Sequence, residues 1–152
     1  MTSSNTNMSS HQRLKLAHQE MPLRAPEVRV TNFEEVPLGY NDDQARIEAM
    51  RCLQCKNPKC IGACPVGVNI PAFIKLIEDG DIAGAVAIIR QTNFLPAACS
   101  RVCPQDKQCQ SVCKVGQNHI PVGIGNLERY AADYERTHRI HDLDKKRSTT
   151  GK

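Results

Sequence analysis

Eight cysteines lie between residues 52 and 113, and the chain has no others. They form two groups, spaced C-x2-C-x4-C-x3-C-P and C-x3-C-P-x4-C-x3-C. The members are Cys52, Cys55, Cys60 and Cys64 in the first group, and Cys99, Cys103, Cys109 and Cys113 in the second. Cysteine thiolates are soft ligands that suit zinc and iron–sulfur clusters. Two groups of four such ligands therefore predict two metal centres in one small domain.

The first group closely follows the C-x2-C-x2-C-x3-C-P run of bacterial ferredoxins, with two extra residues before Cys60. In that run three cysteines hold one cubane cluster, and the fourth reaches a second cluster. A proline directly follows Cys64 and Cys103. Because proline fixes φ and lacks an N–H donor, it turns the chain away from the ligand. This spacing favours iron–sulfur clusters.

The main alternative is a zinc-stabilised structural or interaction module without a redox role. Structural zinc sites combine two C-x2–4-C pairs, whereas the first group compresses four cysteines into thirteen residues. That compression suits a cubane, whose four irons are spread apart. A redox C-x-x-C interpretation of Cys52 and Cys55 needs a βαβ context that the pattern lacks.

The composition supports a metal-held domain. Aromatic residues make up 4% of the chain and tryptophan is absent, so little large apolar surface is available for a core, and small domains of this kind are often held by metals. No segment resembles a secretion signal or a membrane span. We therefore expect a cytoplasmic chain with reduced thiols. The formal charge of +4 partly offsets cluster charge and is weak support for nucleic-acid binding.

Helical signals run through the chain, and we expect an all-α fold. His11 to Glu20 predicts a short helix. Asn41 and Gln44 form a capping box for a helix that ends near the first cysteines. A helical hairpin follows over residues 70–90, with Asn69 and Asp81 as N-caps and a glycine between the two helices. The last helix is predicted over residues 124–138.

Two local expectations concern the second cysteine group. Cys109 and Cys113 are four residues apart, which predicts that both thiolates project from one helical face. Cys99 and Cys103 have the same separation, but they lie between Pro96 and Pro104. Because proline disfavours the helical conformation of the residue before it, we do not expect a regular helix there.

The expected organisation has three parts. Residues 1–21 form a flexible N-terminal tail or short helix, residues 22–138 the helical iron–sulfur domain, and residues 139–152 a polar linker.

One acidic residue is unusual within this scheme. Glu128 falls on the apolar stripe of the last helix, beside Leu127 and Ala131, where an unpaired carboxylate is costly to bury. From the residues alone, a helix rotated so that Glu128 meets solvent or Arg101 is the favoured interpretation.

Several short motifs between residues 33 and 138 are characteristic. They are Arg51-Cys-Leu-Gln-Cys55, Pro58-Lys-Cys60, Ala63-Cys-Pro-Val66, Asn69-Ile-Pro71, Gln91-Thr-Asn93, Arg101-Val-Cys-Pro-Gln-Asp106, Val122-Gly-Ile-Gly125 and Leu127-Glu-Arg-Tyr130. With these motifs, residues 33–138 resemble the N-terminal iron–sulfur domain of the glutamate synthase small (β) subunit family. The same domain begins dihydropyrimidine dehydrogenase and the large subunit of the NADH-dependent ferredoxin:NADP oxidoreductase.

This resemblance implies a helical-ferredoxin-like fold with two 4Fe-4S clusters. The implied ligands of cluster 1 are Cys52, Cys55, Cys60 and Cys113. The implied ligands of cluster 2 are Cys64, Cys103, Cys109 and Glu128, with Cys99 as the alternative fourth ligand. The resemblance thus favours an inward Glu128, because a ligand role explains a carboxylate on an apolar face.

The resemblance also implies a function. The domain would pass single electrons between a flavin and a partner subunit, within an NADPH-dependent oxidoreductase of the glutamate synthase type. The partners would be the flavin domain of the same polypeptide and a larger catalytic subunit such as the glutamate synthase large subunit, with neither nucleic acid nor membrane involved. Family members continue into FAD- and NADPH-binding domains, whereas this chain stops at Lys152. We therefore expect an excised or truncated domain that is not catalytic alone.

Overall fold

The computed structural model describes residues 8–138. Within that range the chain forms eight α-helices and two short 3-10 helices, and its extended pairing is confined to one antiparallel bridge between Leu23 and Pro37. The α-helices are α1 (Ser10–Leu14), α2 (Pro26–Arg29), α3 (Asp42–Met50), α4 (Lys59–Gly62), α5 (Ile70–Asp79), α6 (Ile82–Arg90), α7 (Pro96–Val102) and α8 (Ile124–His138). The predicted all-α fold class is confirmed.

The predicted capping residues begin and end the helices as expected. Asn41 Oδ1 accepts from the N–H of Gln44 at 2.8 Å, and the Gln44 side chain accepts from the N–H of Asn41 at 3.1 Å. Asn69 and Asp81 likewise accept hydrogen bonds from first-turn N–H groups of α5 and α6. Gly80 has a φ of +83°, which ends α5 in a left-handed conformation that glycine adopts without a steric penalty.

The helices pack around α5 and α8. α5 lies against α6 and α3, while α8 contacts α7, α6, α3 and α5. The largest fully buried apolar side chains are Phe73, Ile74, Ile77, Val86, Ile89, Val122 and Leu127. The bounds of α8 agree with the predicted last helix, so the helix that carries Glu128 is part of the core. Among the described residues, no helix has both the length and the apolar character to span a bilayer.

The helical face predicted for Cys109 and Cys113 is wrong. The chain between them forms turns, flanked by 3-10 helices at Gln105–Lys107 and Lys114–Gln117. The two thiols lie in different groups of candidate ligands, as described below. The four-residue spacing therefore spans a turn, and the two thiols lie in different groups.

The doubt about a helix between Pro96 and Pro104 is also wrong. α7 runs regularly from Pro96 to Val102, and the N–H of Cys103 donates to the carbonyl of Cys99 at 3.0 Å. Pro96 occupies the first turn, where its missing N–H would have no partner in the helix. The residue before Pro104 lies just beyond the last helical residue and adopts an extended conformation. Both prolines are thus compatible with the helix that carries Cys99.

The helix predicted over His11 to Glu20 is realised only as α1. From this helix Arg13, which is 8% exposed, donates to both carboxylate oxygens of Glu78 at 2.8 Å. It also donates to the carbonyls of Met50 at 2.9 Å and Cys52 at 3.2 Å. The segment before residue 22 is therefore attached to the bundle beside the first cysteines. The division at residue 21 stays a prediction, and the predictions for residues 1–7 and 139–152 lie outside the described residues.

A buried ion pair that sequence reasoning missed joins three parts of the chain. Glu48 is fully buried and accepts from Arg51 Nη1 at 2.6 Å, from the N–H of Gly123 at 2.8 Å and from the N–H of Gln19 at 2.8 Å. Arg51 also donates to the carbonyl of Pro121 at 3.2 Å. The pair holds the N-terminal segment, the end of α3 and the start of α8 together.

Glu48→Gln should lower the free energy of unfolding by about 3 kcal/mol, because it leaves the buried guanidinium of Arg51 without a counter-charge. Urea unfolding of the metal-loaded protein, kept free of oxygen, measures the change. Glu27→Gln is the matched control, since Glu27 is exposed on α2, and it should stay within about 0.5 kcal/mol of wild type. Equal urea midpoints for Glu48→Gln and wild type would contradict the prediction.

Candidate metal centres

Four of the eight cysteines line one cavity of about 610 Å³. They are Cys52, Cys55, Cys60 and Cys113. The first turns of α5 contribute Ile70 and Ile74 to the apolar part of its wall. The fold thus brings three cysteines of the first sequence group together with the last cysteine of the second.

Local structure explains how the first two cysteines reach the same cavity. The N–H of Cys52 donates to the carbonyl of Ala49 at 3.0 Å, directly after α3. Gln54 follows with a φ of +48°, the only positive φ of a non-glycine residue in the described chain. This left-handed backbone conformation lies between Cys52 and Cys55, and both residues line the cavity. Cys60 is presented separately, from within α4.

The thiols around this cavity affect one another electrostatically. The pKa of Cys52 is raised to about 12, chiefly by burial and to a smaller extent by the neighbouring Cys113, Cys60 and Cys55. Burial likewise raises the pKa of Cys60 to about 11, with Cys113 as the next contribution. Backbone N–H groups of Gln54 and Ile61 lie near the sulfurs of Cys52 and Cys60 and oppose this rise in pKa. Metal binding at these buried thiols must displace their protons.

The remaining cysteines gather around Glu128. The pKa of Cys109 is raised to about 12, chiefly by burial and to a smaller extent by the charges of Cys64 and Glu128. Burial also raises the pKa of Cys103, followed by the effects of Cys99, Glu128 and Cys64. The charges of Glu128 and Cys64 therefore act on both Cys103 and Cys109. Cys99 lies beside Cys103, one helical turn earlier.

Glu128 faces this second group rather than Arg101. Asn93 Nδ2 donates to Glu128 Oε1 at 2.7 Å. Burial raises the pKa of Glu128 to about 7, and the hydrogen bond from Asn93 opposes that rise. Arg101 instead pairs with Glu35 at 2.7 Å and Asp133 at 2.8 Å. Of the interpretation favoured by the residues alone, a Glu128 that meets solvent or Arg101, the contact with Arg101 is wrong, and Glu128 is half-buried.

Asn93 is a site residue that sequence reasoning did not identify. Its side chain is 3% exposed, and besides Glu128 it contacts Cys99, whose Sγ lies 3.5 Å from Asn93 Oδ1. In the sequence Asn93 was recognisable only as the end of the Gln91-Thr-Asn93 motif, without a role. The contacts depend on how α6, α7 and α8 meet, which the motif does not reveal.

The described residues fit a multi-iron cluster. All eight cysteines are free thiols. In a structural zinc site every sulfur lies about 2.3 Å from one metal ion; within residues 8–138 no three His, Cys, Asp or Glu side chains converge closely enough for that. Four thiols around one large cavity, with backbone N–H groups near the sulfurs of Cys52 and Cys60, suit a cubane. The buried Nε2 of Gln54 also lacks a hydrogen-bond partner among the described residues, which leaves a donor beside the first group.

Comparisons with known proteins agree with this chemistry. The model of the family described as dihydropyrimidine dehydrogenase domain II, 4Fe-4S cluster, matches residues 29–140. The glutamate synthase (NADPH) small chain of Escherichia coli K12 is 39% identical over 123 residues, which are 81% of this chain and 26% of that protein. The corresponding small chain of Halomonas elongata is 35% identical over 79% of this chain and 25% of its own length.

A third relative is the PreT subunit of the NAD-dependent dihydropyrimidine dehydrogenase of Escherichia coli K12. It is 38% identical over 103 residues, which are 68% of this chain and 25% of that subunit. The chain thus spans about a quarter of the length of each of these three relatives. The family match over residues 29–140 covers the stretch that contains both groups of candidate ligands.

Proposed function

We propose, from the premise that this chain belongs to the family of 4Fe-4S domains described as dihydropyrimidine dehydrogenase domain II, that it transfers single electrons through two 4Fe-4S clusters between a flavin and a partner protein. The family membership and the resemblance to glutamate synthase small chains are confirmed. The two clusters, their ligands and the partners are the proposal. The observation that carries it is the gathering of the cysteines into two separate groups.

The proposed ligands follow these groups. Cluster 1 takes the four cysteines that line the cavity, namely Cys52, Cys55, Cys60 and Cys113. Cluster 2 takes Cys64, Cys103, Cys109 and Glu128. The proximity of Glu128 to two thiols of its group supports its place as the fourth ligand. Cys99, beside Cys103, is the alternative that mutagenesis must exclude.

A 4Fe-4S cluster supplies reversible one-electron transfer, and the protein sets its potential. Here the chain contributes burial by α5 and α8, amide donors to the ligand sulfurs, and a carboxylate in place of one thiolate at cluster 2. Two short segments connect the clusters. Cys60 and Cys64 lie within and just after α4, and Cys109 and Cys113 flank one turn; in each pair the ligands belong to different clusters. Both clusters are therefore held by the same loops, which keeps their separation constant.

The partners follow from the relatives. Two of them are NADPH-dependent glutamate synthase small chains, so we propose that electrons enter from a flavin module that takes them from NADPH, and that they leave to a larger catalytic subunit. Hydride transfer from a nicotinamide moves two electrons at once and is flavin chemistry. The clusters would accept those electrons singly. FAD and NADPH thus belong to the remainder of such an oxidoreductase rather than to these residues.

The proposed function predicts how the 152-residue chain behaves alone. Reconstituted without oxygen with iron and sulfide, it should be brown, accept electrons from dithionite and return them to an oxidising dye. NADPH alone should leave the visible absorption unchanged, because the clusters cannot accept a hydride. Adding a flavoprotein that oxidises NADPH should bleach the absorption. Metal and sulfide analysis should find about eight irons and eight sulfides per chain, as two cubanes require.

Three results would oppose the proposal. A colourless protein that binds two zinc ions instead of iron would support the structural module. Bleaching by NADPH alone, or tight FAD binding by the chain, would contradict the assignment of hydride chemistry to another part of the enzyme. About four irons per chain would contradict the second cluster while leaving the first.

A further inference from the structure

Asn93 lies between the two candidate fourth ligands of cluster 2. Its Nδ2 donates to Glu128 Oε1 at 2.7 Å, and its Oδ1 lies 3.5 Å from the Sγ of Cys99. One buried amide thus contacts the carboxylate on α8 and the thiol on α7. Neither contact is explained by the ligand roles alone, because Asn93 itself is not a proposed ligand.

The orientation of this amide is determined by the backbone. Asn93 follows α6, and its own N–H donates to the carbonyl of Ile89 at 2.9 Å. Its Oδ1 accepts from the N–H of Leu95 at 3.0 Å, just before α7. Since a backbone N–H can only donate, the oxygen of the Asn93 amide must face Leu95. The amide nitrogen must then face Glu128, and a flipped amide would place two donors against each other.

The two contacts have opposite consequences for the two side chains. The Asn93 amide holds Glu128 by one oxygen and leaves Oε2 without a hydrogen bond to the described residues, available to a metal. Cys99 is instead held as a thiol that donates weakly to Asn93 Oδ1. This contact directs the sulfur of Cys99 toward the amide oxygen of Asn93.

We propose that Asn93 is a positioning residue that selects Glu128 over Cys99 as the fourth ligand of cluster 2. The proposal rests on the cluster 2 assignment made above. Cysteine is the usual ligand of a 4Fe-4S cluster, and Cys99 already lies beside Cys103. Without Asn93, Glu128 loses its hydrogen-bond donor and Cys99 its acceptor. The thiolate of Cys99 then takes the fourth position.

The test exchanges Asn93 and follows the fourth ligand by EPR and redox titration of the reconstituted protein. Asn93→Asp retains the oxygen that accepts from Leu95 and faces Cys99, so it perturbs Glu128 alone, by placing a second carboxylate against it. Asn93→Leu removes both contacts at similar volume. Both variants should keep a four-iron cluster 2 with a shifted potential, because thiolate replaces carboxylate. The potential of cluster 1 serves as the internal reference and should not change.

Double variants identify the ligand. Cys99→Ser alone should leave cluster 2 intact, but combined with Asn93→Leu it should convert cluster 2 to a three-iron form. Glu128→Ala alone should give the three-iron form, but combined with Asn93→Leu it should restore four irons through Cys99. Asn126→Leu is the matched control. Asn126 lies on α8, as Glu128 does, but its side chain donates to Tyr40 at 3.0 Å. It should leave both clusters as in wild type.

Each other outcome decides the matter. Unchanged cluster 2 signals in both Asn93 variants would overturn the selection. A three-iron cluster 2 in either variant, with Cys99 present, would show that Asn93 supports Glu128 without excluding Cys99, and would also overturn it. Loss of both clusters in both variants would make Asn93 a folding residue only. A four-iron cluster 2 in Glu128→Ala with Asn93 intact would instead refute the ligand assignment of the proposed function.

Discussion

Removal of the iron should abolish the cooperative unfolding transition of residues 50–115. The structure supplies the reason, since the ligand loops carry little regular structure of their own. α4 spans four residues, and the chain after α7 is made of turns and 3-10 helices up to Gln117. Clusters that bind only the folded chain contribute their binding free energy to folding. Their loss leaves a cavity of about 610 Å³ beneath the first loop.

Removal of the iron should affect the ligand loops and the helical hairpin differently. The hairpin of α5 and α6 has its own caps and apolar stripe, so it should persist as fluctuating helix. Circular dichroism should therefore show a partial loss of helix signal, with a broad thermal transition in place of a sharp one. Amide signals of residues 50–68 and 99–115 should collapse toward unfolded positions in NMR spectra. The measurement compares the loaded protein with protein treated with an iron chelator without oxygen.

Reloading with iron and sulfide is the control, and it should restore the sharp transition. A treatment that had simply damaged the protein would not be reversed. An unchanged, sharp transition after complete iron removal would show that the packing of α3, α5 and α8 suffices for folding, and the prediction would be wrong.

Glu128→Ala should convert cluster 2 from a four-iron to a three-iron form and leave cluster 1 intact. The charge of the carboxylate acts on Cys103 and Cys109, and Asn93 Nδ2 holds it at 2.7 Å. Because a cubane needs a ligand at each iron, removal of one ligand labilises one iron. EPR spectra of the oxidised protein should show a new three-iron signal, and iron analysis should find about seven irons per chain instead of eight.

Cys99→Ser is the matched variant for this experiment. It removes the only other candidate for the fourth position, and it should leave both four-iron signals in place. Because α7 is a regular helix, Pro96 and Pro104 do not exclude Cys99 as a ligand. The assignment therefore depends on the contacts of Glu128 alone. Loss of cluster 2 in Cys99→Ser, with Glu128→Ala unaffected, would establish the all-cysteine alternative.

Local signals in the sequence were sufficient for the fold class and most of the helices. The caps at Asn41, Asn69 and Asp81 act within one turn, so their effect does not depend on the rest of the molecule. The apolar period of residues 124–138 likewise determined the bounds of α8. The cysteine spacing, together with the motifs around it, predicted an iron–sulfur domain, which the family match supports. Local rules failed for the prolines around Cys99 and for the pair Cys109 and Cys113. Pro96 lies in the first turn of a helix, and the two cysteines flank a turn rather than share a helical face.

Only the tertiary structure decided which side chains meet. Cys113 joins the first cysteine group across the core, a contact that the spacing left open and only the family resemblance implied. Glu48 is buried against Arg51 and Gly123, and the amide of Asn93 lies between Glu128 and Cys99. These contacts join residues up to 75 positions apart. They arise from the angles at which the helices pack, and no local pattern encodes those angles.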